Sequence, residues 1–405
     1  MRQKEKVLVL ASVASMISQF NMPNIRLLLD MGFEVHIVCN FKKGSTCSRQ
    51  EITQLQKALR KLQVTCHQWD CPRDIFPISQ CFRAYWQLRQ LIKRHQFAWM
   101  HCHSPVGGVL ARLAAGKKLP VVYTAHGFHF YKGAHLKNWL LYYPVEKLLA
   151  TRTDLLITLN QEDYCLAKRS LFVGKACYIP GVGIDTSRFC SAEAAKRELC
   201  RKYRIPQDAL LLVSAGELSK RKNHRIVIEA LAAMQRQDVY YLLCGQGALR
   251  EKLRRYADKA GVLDHIRMPG YQEQMSWIFQ NADVFVFPSI QEGMPVALME
   301  AMAAGLPCVV SDIRGNRELV DDAEKHSYQD CGGIRFSYNK PEELQQALTR
   351  MLEDQQLRVA CGRYNKEKIK SYELTAVQAR MKVIYRYMSR LAADQASIER
   401  RRGGL

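Results

Sequence analysis

The chain has 405 residues, 48% of them hydrophobic and 24% charged, and carries a net charge of +22. That apolar share supports packed cores and excludes a disordered chain, while the lack of any run of eighteen apolar residues excludes a bilayer-spanning helix. The charge is uneven: residues 1–190 hold 26 Lys+Arg against 11 Asp+Glu (+15) and residues 191–405 hold 34 against 27 (+7), so the first half should face something anionic, nucleic acid or an acidic membrane surface, with a solvated basic surface without a partner as the alternative.

The opening string "MRQKEKVLVLASV" has a basic start but only a brief apolar run at 7–11, which reads as a first buried strand and not as a signal peptide. Helical spacing follows at 23–30, then a strand at 34–39, a helix at 81–95 and a strand at 97–101. Alternation on that strand puts His101 and His103 of "HCH" on one face, with no further ligands nearby to complete a four-ligand zinc site. Strands at 121–124, 154–158 and 176–179 and a helix at 136–150 complete this half. The glycine-rich "IPGVGIDTSRF" (179–189) marks a domain boundary near 180–190, after which the pattern restarts. Strands are predicted at 210–215, 240–244, 284–287 and 308–311, and helices at 223–237, 248–260 and 296–304. An amphipathic helix at 371–393 leads into "ERRRGGL", a frayed basic tail.

Strands alternating with helices imply parallel βαβ units, used twice, with a cleft at the carboxyl ends of the strands where ligands of such sheets bind. The fold class is α/β. A two-domain dehydrogenase, a periplasmic-type binding protein and a sugar transferase all fit this pattern. The fourteen cysteines form no CxxC, and Cys39, Cys102, Cys244 and Cys308 stand in apolar runs as small hydrophobes, so a reduced, cytoplasmic protein is expected.

The most informative string is "PSIQEGMPVALMEAMAAGLPCVVSD" (288–312), with Glu292 and Glu300 eight residues apart. Pro295 suits the first helical position, and Met294 before it is biased away from helical angles, so a helix should begin about residue 295. Its free N–H groups and positive dipole end form a phosphate site, flanked by one carboxylate before it and one beyond. Carboxylates accept from hydroxyls, so a sugar, a diphosphate and a ribose laid along this turn would be read in order. On spacing alone, a loop carboxylate and a surface helix glutamate are the better fit.

This string closely resembles the glutamate–seven–glutamate signature of family-4 retaining glycosyltransferases of the GT-B fold. The similarity extends through "ASVASMISQFNMPNIRLLLDMGFEVHIVCN", "YTAHGFHFYKGAHLKNWLLYYPVEKLLATRTDLLITLNQEDY", "YIPGVGIDTSRF", "GELSKRKNH", "LCGQGALREKL" and "SDIRGNRELV", in the order typical of the bacterial capsular and exopolysaccharide branch. The resemblance implies an acceptor-binding domain at 1–185, a nucleotide-sugar-binding domain at 186–370, and a helix and basic tail at 371–405 packing back toward the first domain. It implies that Glu292 contacts the donor sugar, that Gly293, Met294, Pro295 and Val296 lie beside the diphosphate, and that Glu300 holds the ribose. Lys222 matches a diphosphate lysine, with Arg221 beside it, and His126 of "AHG" matches a histidine at the donor–acceptor junction. Gly216, Gly245 and Gly247 match glycines that let backbone approach the nucleotide, and Pro269, Gly270 and Tyr271 lie where relatives wrap the base.

Glu217 departs from the pattern, standing where many relatives carry a phosphate-binding arginine; Lys220 or Arg221 could supply the missing charge. The resemblance further implies transfer from a nucleotide diphosphate sugar, by family habit UDP-linked, to a lipid-diphosphate-linked acceptor, by front-side attack with retention. No DxD string occurs, and fixed positive charge can replace a metal, so no metal and no cofactor beyond the nucleotide sugar are expected. His126 should close on Glu292 and exclude water. The basic first domain, with Trp139, Leu140, Tyr142 and Tyr143 in "KNWLLYYPVEKLL", suggests peripheral attachment to an anionic membrane at its cytoplasmic face, although ordinary helix core accounts for these aromatics equally well. Two other readings remain: a nucleic-acid-binding α/β protein, which lacks a recognisable reading motif, and an inactive homologue that only binds sugar nucleotide.

Overall fold

Val7, Leu8, Val9 and Leu10 are apolar in succession, as a strand covered on both faces requires, and all four are fully buried in β1 (Lys6–Val13). The computed structural model describes residues 4–43, 47–76, 78–116, 118–171, 174–189 and 195–403. β1 is central to a seven-stranded parallel sheet with β2 (Glu34–Asn40), β3 (Thr65–Gln68), β4 (Trp99–His103), β5 (Val121–Ala125), β6 (Leu155–Thr158) and β7 (Ala176–Tyr178), in the order β3-β2-β1-β4-β5-β6-β7. A second, six-stranded parallel sheet has the order β10-β9-β8-β11-β12-β13. It consists of β8 (Leu210–Ala215), β9 (Val239–Cys244), β10 (Ile266–Gly270), β11 (Val284–Phe287), β12 (Cys308–Ser311) and β13 (Gly333–Phe336).

Both sheets reverse direction of strand order beside their first strand, the Rossmann arrangement that places loops for ligand binding after β1, β4, β8 and β11. The α/β reading with two Rossmann-like parallel sheets therefore holds. One compact unit comprises Met1–Val182 and Thr375–Leu405, the other Gly183–Leu374.

Three strands were not expected from the sequence, and all three are sheet edges: β3, β10 and β13. Edge strands need no continuous apolar run; β3 (TCHQ) is only half-buried, and β10 tolerates Pro269 where its register with β9 breaks, between Arg267 and Gly270. β4 begins two residues later than the apolar run suggested. The helix Arg225–Met234 is shorter than the apolar pattern because Asn223 (φ 56°) and Gln235 (φ 50°) bracket it in the left-handed region.

The last helix, Leu374–Gly403, is longer than expected: the basic segment through Gly403 is helical and not frayed, and the final two residues lie outside the described ones. Its Tyr385 stacks on Trp99 with ring centroids 5.3 Å apart, and Trp99 Nε1 donates to Ser389 Oγ at 3.3 Å, which fixes the helix to the first sheet. Among the described residues no helix is long and apolar enough to cross a membrane, and thirteen cysteines are free thiols.

Candidate active site

In the second unit the site grows from the carboxyl ends of β8 and β11. β11 is fully buried as far as Phe287, after which the chain emerges into the loop carrying Glu292. Pro295 (φ −80°, ψ 114°) is extended and precedes the helix Val296–Ala303, so it caps the helix and is not its first residue as the sequence suggested; its ring still costs no hydrogen bond there. The loop rests on the start of the helix Arg314–Leu319: a Cβ on Gly315 would fall 2.5 Å from the Gly293 carbonyl oxygen, and Arg314 Nε donates to the Glu292 carbonyl at 3.3 Å.

The Glu292 carboxylate, 11% exposed, accepts from Arg221 Nη1 at 2.7 Å and pairs with Lys222 Nζ at 2.9 Å. Burial pushes this carboxyl up, but Lys222 and Arg221, with the Ser289 hydroxyl nearby, outweigh it and hold the group below its ordinary value. Lys222 is also buried, its Nζ 4.5 Å over the Phe287 ring. Burial draws its ammonium down and Arg221 adds to this, while Glu292 and, more weakly, Glu217 support the charge. The cations reach this place through the tight turn Lys220–Lys222 after β8, tied by Ile290 N donating to the Arg221 carbonyl at 2.8 Å and by Arg221 Nη1 donating to the Gln291 carbonyl at 2.9 Å.

The glycines act on protein neighbours. A Cβ on Gly245 would sit 1.8 Å from the Gly216 carbonyl oxygen, one on Gly247 2.4 Å from that of Leu218, and one on Gly216 3.1 Å from Lys222 Cε. They let the loops after β8 and β9 lie against each other. Gly270 (φ 85°) accepts from Gly245 N at 2.9 Å, and Tyr271 beyond it is exposed. Glu300 lies farther along the helix; burial raises its carboxyl, opposed by Arg188. Met294 is buried and Val296 half-buried. Glu217 is exposed.

Sequence reasoning missed His224, although it adjoins Lys222. It is buried with Nδ1 3.2 Å from Tyr241 Oη, which donates to Ser214 Oγ at 2.8 Å, and Ser214 in turn donates to the Val286 carbonyl. This buried chain ties the Lys222 turn to β8, β9 and β11. Arg314 was also missed, because only the fold brings "SDIRGNRELV" to the Glu292 loop.

The first unit carries His126 just after β5, with Nε2 3.1 Å from His103 Nδ1. Burial draws His126 down to about 4, so it is neutral near pH 7. His101 and His103 do share one face, with ring centroids 4.1 Å apart, and among the described residues no three His, Cys, Asp or Glu side chains are grouped to hold a metal. The aromatics offered for a membrane interface are otherwise engaged: Trp139, Tyr142 and Tyr143 pack on the core around Phe130, Trp139 Nε1 donating to the Tyr131 carbonyl and Tyr143 Oη to that of Ser170. Leu140, at 71% exposure, is the exception.

Comparison with known proteins identifies the family. Residues 195–368 match the family described as glycosyl transferases group 1, and residues 6–160 match glycosyl transferase 4-like. EpsD of Bacillus subtilis (strain 168), which bears a glycosyltransferase name, is 36% identical over 84% of this chain and 88% of its own. The UDP-Gal:alpha-D-GlcNAc-diphosphoundecaprenol alpha-1,3-galactosyltransferase of Escherichia coli is 29% identical over 74% of this chain and 77% of its own. Among solved structures, Anabaena Alr3699/HepE in complex with UDP and glucose superposes with a TM-score of 0.76 at 16% identity, over 95% of this chain and 100% of that one. Sucrose-phosphate synthase of Thermosynechococcus elongatus gives 0.73 at 17% identity, over 95% and 99%. The chain belongs to the group 1, family-4-like glycosyltransferases, and its two Rossmann-like sheets are those of the GT-B fold.

Proposed function

We propose that this glycosyltransferase moves a sugar, with retention of configuration, from a UDP-linked donor to a lipid-diphosphate-linked saccharide during cell-surface polysaccharide synthesis. The observation that carries the reading is the Glu292–Lys222–Arg221 cluster set immediately before the helix Val296–Ala303: one buried carboxylate and two cations beside a helix N-terminus. The UDP held by the HepE structures and the donor and acceptor in the E. coli enzyme's name support the choice of substrates.

In this mechanism Lys222, Arg221 and the backbone N–H groups at the start of the helix Val296–Ala303 hold the diphosphate and stabilise the charge it gains as the sugar C1–O bond breaks, each donor contributing about 3 kcal/mol. Glu292 accepts from donor-sugar hydroxyls and supports positive charge at C1, and Glu300 accepts from the ribose hydroxyls. The acceptor oxygen bonds to C1 from the face the diphosphate leaves, and its proton passes to the leaving phosphate oxygen. Gly270 and Tyr271 border the base. Fixed cations serve where other transferases use a metal, so EDTA leaves turnover unchanged. Glu217, in contact with water, does not displace Lys222 from this role.

The chain works at the cytoplasmic face of the membrane, held peripherally through its basic first unit. The exposed apolar side chains Ile75, Phe76, Ile78, Phe82 and Trp86 support this more strongly than the helix Leu136–Ala150 does, because the helix Ile78–His95 carries Arg83, Arg89, Lys93 and Arg94 and no acidic residue. A panel of nucleotide sugars offered with a lipid-diphosphate-linked acceptor tests the function. Transfer from a UDP-sugar with retained anomeric configuration is expected; nucleotide-sugar binding without turnover would instead mark an inactive homologue.

A further inference from the structure

His103, left without a role once zinc is set aside, has a specific relation to His126. It ends β4, opposite Thr124 of β5, and its ring is 2% exposed. Its neighbour His101 uses both ring nitrogens, Nδ1 with Tyr385 Oη at 3.1 Å and Nε2 with Thr124 Oγ1 at 2.7 Å. His103 has one hydrogen bond, from Nδ1 to His126 Nε2, and its buried Nε2 has no partner among the described residues. Both rings are neutral, since burial draws His126 to about 4 and, with His101 and His126 adding to it, takes His103 well below its ordinary value.

Two neutral rings sharing one hydrogen bond allow two proton arrangements. If His126 Nε2 donates, the proton of His103 must sit on Nε2, leaving a buried N–H with no acceptor. If His103 Nδ1 donates, the buried His103 Nε2 keeps only a lone pair and the unpaired proton moves to His126 Nδ1, on a half-buried ring; an unpaired N–H costs most where it is fully buried. The second arrangement therefore prevails, and it places the proton of His126 on Nδ1, which has no hydrogen-bond partner among the described residues. Phe20, with its ring centroid 5.9 Å away, limits the swing of the His126 ring.

We propose that His103 is a positioning residue that locks His126 in its neutral Nδ1–H tautomer, so that the first unit offers an oxygen of the substrate a hydrogen-bond donor and not a base. The proposal rests on the reading that His126 serves the transfer, and it agrees with the acceptor proton leaving on phosphate.

The test uses the full chain labelled with 15N in its imidazoles, the His126 signals being identified by their loss in His126→Gln. Between pH 6 and 8 the wild type should show a protonated Nδ1 and an unprotonated Nε2 for His126. His103→Leu should mix the tautomers and lower turnover about 10–100-fold, the range for removing a partner that orients a functional histidine. His103→Asn, whose amide nitrogen takes the place of Nδ1, should recover most of that loss, with thermal melts confirming that each variant folds. A protonated His126 Nε2 in the wild type, or unchanged His126 signals in His103→Leu, would overturn the proposal. Wild-type turnover in His126→Gln would overturn the role of His126 in transfer, a failure read separately from the ring spectrum.

Discussion

Lys222 Nζ and Glu292 Oε1 are 2.9 Å apart, in a pocket where both side chains are 11% exposed. An ion pair this dry is maintained by mutual need: each group would be driven toward neutrality without the other.

Lys222→Met should therefore destabilise the second unit by about 3 kcal/mol, the lower end of the cost of stranding a buried charge because Arg221 remains on the carboxylate. Adding Glu292→Gln to it should recover part of that loss. Urea denaturation of the two single variants and the double variant checks this, and simple additivity would show that the pair is not coupled.

Three histidines predict how stability depends on pH. His101, His103 and His224 are each at most 2% exposed; burial draws His101 and His224 to about 3 and His103 well below the ordinary value. The unfolded chain takes up a proton at each near 6.5 and the folded chain does not. Their contribution is thus complete above pH 6.5 and is lost as pH falls, at about 1.4 kcal/mol per pH unit for each histidine. Denaturation midpoints at pH 7.5, 6.5 and 5.5 should fall steeply over the last interval; a level profile would mean that these rings are protonated in the fold.

Glu300→Ala should weaken UDP binding by about 1–3 kcal/mol, the worth of hydrogen bonds to a charged acceptor. The variant should also lose most of the wild type's preference for UDP over its 2′,3′-dideoxy analogue. Because burial raises the Glu300 carboxyl, wild-type affinity should begin to fall at a higher pH than an ordinary glutamate would give, while the variant should lack that limb. Calorimetric titration measures both.

Phe82 and Trp86, 63% and 44% exposed on a helix without acidic residues, predict preferential binding to anionic vesicles. Each nearby Lys or Arg contributes about 1 kcal/mol, so raising salt should release the protein. Sedimentation with anionic and neutral vesicles, repeated with Phe82→Ser/Trp86→Ser, checks this; equal binding to both vesicle types would end the membrane assignment.

What the sequence disclosed follows physical lines. Strands buried on both faces, such as β1, β8, β11 and β12, announce themselves by unbroken apolar runs, whereas β3, β10 and β13 lie at sheet edges where composition is freer. Glu292 and Lys222 were legible through their motifs, but their contact spans seventy residues of chain and no local pattern encodes it. The same holds for His103 and His126, joined only because β4 and β5 are neighbours in the sheet. At 139–143 the sequence leaves the interface and helix-core readings both open, because helical spacing does not reveal which face meets the core. Trp139 and Tyr143 turn inward to Phe130, while the leucines Leu136, Leu140, Leu141 and Leu148 of the same helix are exposed, as are Phe82 and Trp86 of the helix Ile78–His95.

The central claim is that Glu292 acts on the sugar while the cations beside it hold the diphosphate. Its most direct test is Glu292→Gln, assayed in one preparation for UDP binding by calorimetry and for sugar transfer to a lipid-linked acceptor. The account predicts retained UDP binding with transfer reduced at least about 100-fold, the scale of losing one group that stabilises developing charge. Turnover at the wild-type rate would contradict it.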